Sequence, residues 1–454
     1  MRTYLVEEYS PEIAFEDKSL IIALTPKACY QLDKCGITYS LIEDYHNEKL
    51  LNEKYDIFTF SSQLNWIEEF DKHLQENISQ LKELNLKLCY WYYYFLKSTI
   101  DPLIVRSNTL NRFFEKIKPS EVVYITAHAE EIAPDFRLIF GEGKSIYLRL
   151  LPLFCEKHSA SFTCINVAEE SMPTITAISD TTSMDAWVAR KLKDFVRSND
   201  ALLNLYRLYS SGCWYNAVPH LSQHKQLNIL MLKLGYGGEL FIKDALKRGH
   251  NVFLKSENTI FKYTVFGLKK YYKLKNDDSW SFVISEYKEN WQTAANQLIN
   301  QAKILGWIND KCGVDVSGII LPRLQYFISS ICPEILGYFN DYVNFYNKND
   351  IDFVITPHET SPDEVAAIAA ARYNKKTKSI CFMHGSGIYA LDMWDITEID
   401  HHDIYFALYE EIKEYFIKRK ELYYGQRTEI FQGFGLYKFS DYIKIKEKRE
   451  RGYW

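Results

Sequence analysis

The segment IDFVITPHETSPDEVAAIAAARYNKKTKSICFMHGS, residues 351–386, decides the fold class. Residues 352–356 form a short apolar run rich in β-branched side chains, which predicts a strand. Residues 357–362 combine turn formers with His358 and Glu359. Over 363–373 an alanine-rich pattern predicts a helix packed tightly on a sheet, with Ser361 as N-cap and Glu364 at the capping-box position. Residues 379–383 predict a second buried strand that runs straight into His384, Gly385 and Ser386. A strand–helix–strand unit of this length is a parallel crossover, so both polar loops leave the carboxyl ends of adjacent strands. Open α/β sheets bind their ligands at that edge. Two histidines, a carboxylate and a glycine gathered there suit an anionic group.

The same rhythm extends in both directions. Upstream, 228–234 predicts a strand, the GYGG loop follows with Gly235, Gly237 and Gly238, and 239–248 and 251–254 predict a helix and a strand. Residues 255–315 read as mostly polar, with a helical pattern near 290–305, and 322–347 as a long helix interrupted near Pro333. Downstream come a strand at 403–408, a helix at 409–422, and a strand at 428–432 ending in Gly433 and Gly435. In the first half, 19–24 is the first predicted strand, followed by strands at 40–43, 122–126 and 161–167. Helices are predicted at 67–84, 88–100, 108–117 and 145–158. The expected fold is therefore α/β, with two Rossmann-like domains facing each other across a cleft, residues 1–220 and 221–454, and a C-terminal helix closing the chain.

Composition supports this. At 454 residues the chain fits two domains of roughly 200 residues each. A net charge of −5 argues against a nucleic-acid binder that relies on a basic surface, but leaves room for a small phosphorylated ligand. Nine scattered cysteines without a CxxC pair read as reduced thiols, and 1–10 has no signal-peptide core, so the expected location is cytoplasmic. The run LCYWYYYFL at 88–96 is too short to cross a bilayer and reads as a buried or interfacial helix.

Each chemical motif has a bland counterpart. GYGG between strand and helix brings N–H groups and a positive helix end together, which suits phosphate; a tight turn needs the same glycines. The strand at 251–254 ends without the acidic residue that a ribose binder carries there, which argues against nicotinamide or flavin. His384, Gly385 and Ser386 offer an imidazole, an approachable backbone and a hydroxyl. Glu359 suits a ribose or sugar hydroxyl, or the orienting of a histidine. Asp350 and Asp352 form a DxD at the amino end of their strand, the wrong edge for catalysis, and no His/Cys cluster has ligand spacing, so no metal is expected. His128, Glu130 and Glu131 follow one first-half strand, and Glu169 and Glu170 another; they are the candidates for a base that takes the proton from an acceptor hydroxyl. His401, His402 and Asp403 read as surface residues.

The series ITPHETSP–AAIAAARYNKKTKSICFMHGS–HHDIYFALYEEIKEYF–EIFQGFG resembles bacterial surface and capsular polysaccharide transferases of the GT-B type, including the Kdo transferases and the teichoic-acid glycerophosphotransferases. The resemblance covers about 200 residues of the second half, and the first half matches in pattern alone. It implies that His384, Gly385 and Ser386, then His358 with Glu359, and more loosely Gly433 and Gly435, meet a nucleotide-activated donor. Leu436 and Tyr437 stand where those families carry serine-proline after the glycine turn. The expected activity is metal-independent transfer of a sugar from a UDP-, CMP- or CDP-linked donor to a glycan or lipid-linked glycan acceptor. The donor is a substrate, and no other cofactor is expected. The basic tail at 437–454 has the composition for peripheral contact with the inner face of the plasma membrane. An alditol-phosphate transferase, a nucleotide-sugar epimerase and a non-catalytic sugar-nucleotide-binding subunit remain open on the same residues.

Overall fold

The computed structural model describes residues 1–46, 60–127, 146–167, 226–233, 238–256, 259–263, 269–274, 288–356, 361–382, 400–407, 410–423 and 428–432. It is mixed α/β and divides into two compact units. The described residues up to 167 form the first unit together with 288–337. The remaining described residues form the second. Residues 288–337 lie beyond the expected junction near 220, which itself falls outside the described residues.

The first unit is built on a five-stranded parallel sheet in the order β3-β2-β1-β4-β5. The strands are β1 (Arg2–Val6), β2 (Leu20–Ala23), β3 (Ser40–Leu41), β4 (Glu121–Thr126) and β5 (Ser161–Asn166). The sequence reading began the sheet at residue 19 and missed β1, which is its central strand. Its four residues Thr3–Val6 are all buried, so it shows no alternation, and the acidic pair that follows disguises its apolar character. Helix α1 (Pro26–Lys34) is capped by Thr25, whose Oγ1 accepts from the Ala28 amide, and it lays Ala28 and Leu32 on β1 and β2. The amphipathic pattern at 67–84 resolves into α2 (Phe60–Asn77) and a short helical turn. The run at 88–96 is buried, as expected: Leu88, Cys89 and Leu96 are fully enclosed. It leads into α3 (Tyr93–Ile117), which ends at Lys118 in the left-handed region, just before Pro119. Helix α4 (Tyr147–Lys157) crosses from β4 to β5.

The second unit carries an eight-stranded sheet, β13-β12-β11-β10-β6-β7-β8-β9. Its six parallel strands are β6 (Asn228–Met231), β7 (Asn251–Ser256), β10 (Phe353–Thr356), β11 (Lys378–Phe382), β12 (Ile404–Ala407) and β13 (Glu429–Gln432). The antiparallel strands β8 (Thr259–Tyr263) and β9 (Lys269–Lys273) extend one edge. The sequence reading passed over both, because their Lys and Tyr content mimics a polar loop. Helix α5 (Gly238–Lys247) joins β6 to β7. Between β9 and β10 the chain runs through α6 (Ala302–Cys312), α7 (Ser317–Tyr326) and α8 (Cys332–Asn349). The expected interruption at Pro333 takes the form of a π-helical turn at Phe327–Ile331, which absorbs the missing proline N–H without ending the helix. The resulting run, Ser317–Asn349, is long and apolar enough by length and composition to cross a membrane. More than half of its most apolar window is buried against the rest of the protein, as in a core helix.

The crossover expected over 351–386 is present: β10 pairs parallel with β11, and α9 (Pro362–Asn374) lies between them in the chain. Ser361 caps it in a reciprocal box with Glu364. Residues Val365 through Ala371 are all buried, since alanine lets the helix approach the sheet closely on one side and α8 on the other, where the Tyr346 hydroxyl donates to the Ala367 carbonyl at 2.8 Å. The last helix is α10 (Glu410–Tyr423).

Candidate functional site

In the first unit the strand order reverses between β1 and β4, and a ligand site is expected at the carboxyl side of that reversal. Glu7 stands there, one residue past β1, with its amide donating to the Ile125 carbonyl at 2.9 Å. Its carboxylate Oε2 accepts from the Tyr124 hydroxyl and from Thr126 Oγ1, both at 2.6 Å. Two donors on one oxygen fix the carboxylate while its second oxygen keeps its accepting capacity. Thr25 Oγ1 donates to the Glu7 carbonyl at 2.6 Å, so the cap of α1 and the position of Glu7 are set by the same side chain. The neighbouring Glu8 is buried and paired with Lys27.

Glu7 acts electrostatically on Tyr147, which also feels Arg106 and Glu43. Burial raises the Tyr147 phenol; Arg106, hydrogen-bonded to it, opposes that shift, and Glu43 and Glu7 add to it. Glu43 also lines a cavity of about 440 Å³ with Thr25, Cys29, Tyr30 and Asp33. This volume lies in the range of small-molecule sites. Its mainly apolar wall, with the Thr25 hydroxyl, the Tyr30 phenol and the Asp33 and Glu43 carboxylates on it, suits a ligand that carries both apolar and hydroxyl groups. Glu7 escaped the sequence reading because β1 did. The signal available was an acidic pair directly after a short apolar run.

In the second unit the order reverses between β6 and β10. Lys233 lies two residues past β6 and Lys255 near the end of β7. Both reach the first turn of α9. Lys233 Nζ is 2.6 Å from Glu364 Oε1, and Lys255 pairs with Asp363. The other Glu364 oxygen accepts from the Ser361 amide at 3.2 Å. The Lys255 side chain is only 10 % exposed, and its ammonium lies 5.5 and 5.6 Å from the ring centres of Tyr338 and Tyr342. Burial pulls Lys255 down to about 8, against the attraction of Glu364 and with the repulsion of Lys233. The two pairs tie the first turn of α9 to the carboxyl ends of β6 and β7. They also neutralise the positive end of α9 with its own carboxylates.

Of the expected donor residues, Gly238 is described: it is the buried first residue of α5. Gly235, Gly237, His358, Glu359, His384, Gly385, Ser386, Gly433 and Gly435 lie outside the described residues, as do His128, Glu130, Glu131, Glu169 and Glu170. The described strands place the chain just before each of these loops. β6, β10, β11 and β13 end on one edge of the second sheet, and β4 and β5 on one edge of the first. The DxD pair is structural: the Asp352 carboxylate accepts from the Asn228 amide at 2.8 Å, and the Asp350 carbonyl accepts from the Asn228 side chain at 3.1 Å. The surface reading of His401, His402 and Asp403 is corrected, since His401 and His402 are fully buried and Asp403 is nearly so. The Asp403 carboxylate accepts from the Ser379 amide at 2.9 Å and its hydroxyl at 3.1 Å, pinning the amino ends of β11 and β12 together. Among the described residues no group of three His, Cys, Asp or Glu converges as a metal site would require. Compared with models of known families, with curated proteins and with solved structures, the chain shows no match.

Proposed function

We propose that the chain is a glycosyltransferase of the GT-B type, moving a sugar from a UDP-, CMP- or CDP-linked donor to a growing cell-surface glycan without an obligate metal. The observation that supports this reading is one parallel and one mainly parallel sheet, each with one strand-order reversal among its parallel strands. The second unit would hold the donor. The α9 end is occupied by Asp363 and Glu364, so donor phosphate is directed to the α5 end at Gly235, Gly237 and Gly238, and to the His384, Gly385 and Ser386 loop. His358 and Glu359 would take the sugar or ribose hydroxyls. Leaving-group charge is then met by imidazole and backbone N–H groups.

The first unit would hold the acceptor. The base is drawn from its carboxyl edge, and Glu7 joins His128, Glu130 and Glu131 as candidates. Glu7 is the one whose carboxylate has described partners, and its carbonyl is bonded by Thr25, which lines the cavity. The test is incubation with a panel of UDP-, CMP- and CDP-sugars and glycan acceptors, with mass spectrometry of the products. A sugar-sized mass gain with release of one nucleotide is expected. An alditol-phosphate gain, or isomerised donor without transfer, would replace the reading by another chemistry, and intact donors throughout would end it.

A further inference from the structure

The antiparallel pair β8 and β9 is an addition to an otherwise parallel sheet, and neither proposed substrate site uses it. Between Thr259 and Lys273 the sequence holds four lysines and no acidic residue, within a chain of net charge −5. β9 is the edge strand. The two-residue period puts Lys269, Tyr271 and Lys273 on one face, where Tyr271 is 50 % exposed and packs edge-on against Phe261 at 4.9 Å. The Lys269 ammonium lies 4.7 Å from the Phe261 ring centre and 5.6 Å from that of Tyr263, on the same face as Tyr271. On the opposite face Lys262 and Lys270 sit directly across the ladder from each other. Like charges in that position repel, and an anion beside them would relieve the repulsion.

We infer that this ribbon binds an anionic phospholipid surface. Edge-strand lysines also prevent sheets from pairing edge to edge, but that role does not call for an exposed tyrosine between two lysines. Tyrosine flanked by lysine suits a headgroup region, where the ring enters the interface and the ammonium groups meet phosphate. Each lysine at such a surface changes partitioning by roughly five-fold.

The experiment is co-sedimentation of the full chain with phosphatidylcholine vesicles with and without phosphatidylglycerol, at low and high salt. The expected result is binding that requires phosphatidylglycerol and weakens with salt. The combined change Lys269→Glu, Lys270→Glu and Lys273→Glu keeps a charged edge, yet should lower binding by on the order of 100-fold or more. Tyr271→Ser should lower it as well, with thermal unfolding unchanged in both variants. Equal binding to pure phosphatidylcholine would overturn the proposal. So would loss of binding only when Lys446, Lys448 and Arg449 of the tail are changed, or binding to a soluble polyanion without binding to vesicles. Vesicle binding is read without turnover, so it stands or falls apart from the transferase reading.

Discussion

Glu7→Gln separates a proton acceptor from a structural carboxylate. Glutamine keeps a carbonyl oxygen able to accept from Tyr124 and Thr126, each 2.6 Å from the native carboxylate. The loss on the folding side is the charge assistance in those two bonds, about 1–2 kcal/mol in total. The loss on the catalytic side is larger. Removing a general base lowers the rate by about 10²–10⁴, which corresponds to about 3–5 kcal/mol in the barrier. Glu7→Asp keeps the charge but withdraws it by a methylene, and a misplacement of that size costs about 10² in rate. The assay is nucleotide release at saturating donor and acceptor, with urea unfolding run in parallel. The account expects kcat to collapse in both variants while donor KM and the unfolding midpoint change little. Turnover within about three-fold of the native rate in Glu7→Gln would refute the assignment, and the base would return to His128, Glu130 or Glu131.

Two further outcomes test the surrounding structure. Lys255→Met leaves the Asp363 carboxylate without its buried partner, so the second unit should lose about 3–5 kcal/mol in urea unfolding and donor KM should rise; adding Asp363→Leu should recover most of the stability, and failure to do so would remove the pair from the account. Burial pushes the His402 imidazole down to about 3, with Asp403 opposing, so the folded state stays neutral where the unfolded chain takes up a proton. Stability should therefore fall as pH drops from about 6.5 towards 3, by up to about 1.4 kcal/mol per pH unit from this group. His402→Asn should flatten that slope, as read from urea midpoints across the pH range.

The crossover at 351–386 was legible because its signals are local. Ser361 and Glu364 mark the start of α9, and its run of alanines requires close contact with a sheet. What the sequence hid depends on tertiary placement. β1 is five residues long and is followed at once by Glu7 and Glu8, so neither length nor alternation marks it. With it went the carboxylate at the first strand-order reversal, since a site at such a reversal is visible only when the central strand is known. β8 and β9 are five residues each, and the adjacent lysine and tyrosine pairs of β9 (KKYYK) show no alternation of apolar and polar positions. His401 and His402 look like surface residues because two adjacent histidines rarely enter a core. Here the Asp403–Ser379 link draws the amino ends of β11 and β12 together and encloses them. In the second unit, the strands leading into His358, Glu359, His384 and the GYGG segment were legible as apolar runs ending in polar ones.

The claim on which the reading rests is that the polar loops of the second sheet bind a nucleotide. Titration calorimetry of the native chain and of His384→Ala with UDP, CMP and CDP measures this directly. The account predicts that one of the three binds the native chain and that the substitution weakens it ten-fold or more, at least about 1.4 kcal/mol. Equal affinity in the two proteins, or no binding of any of the three, would contradict it.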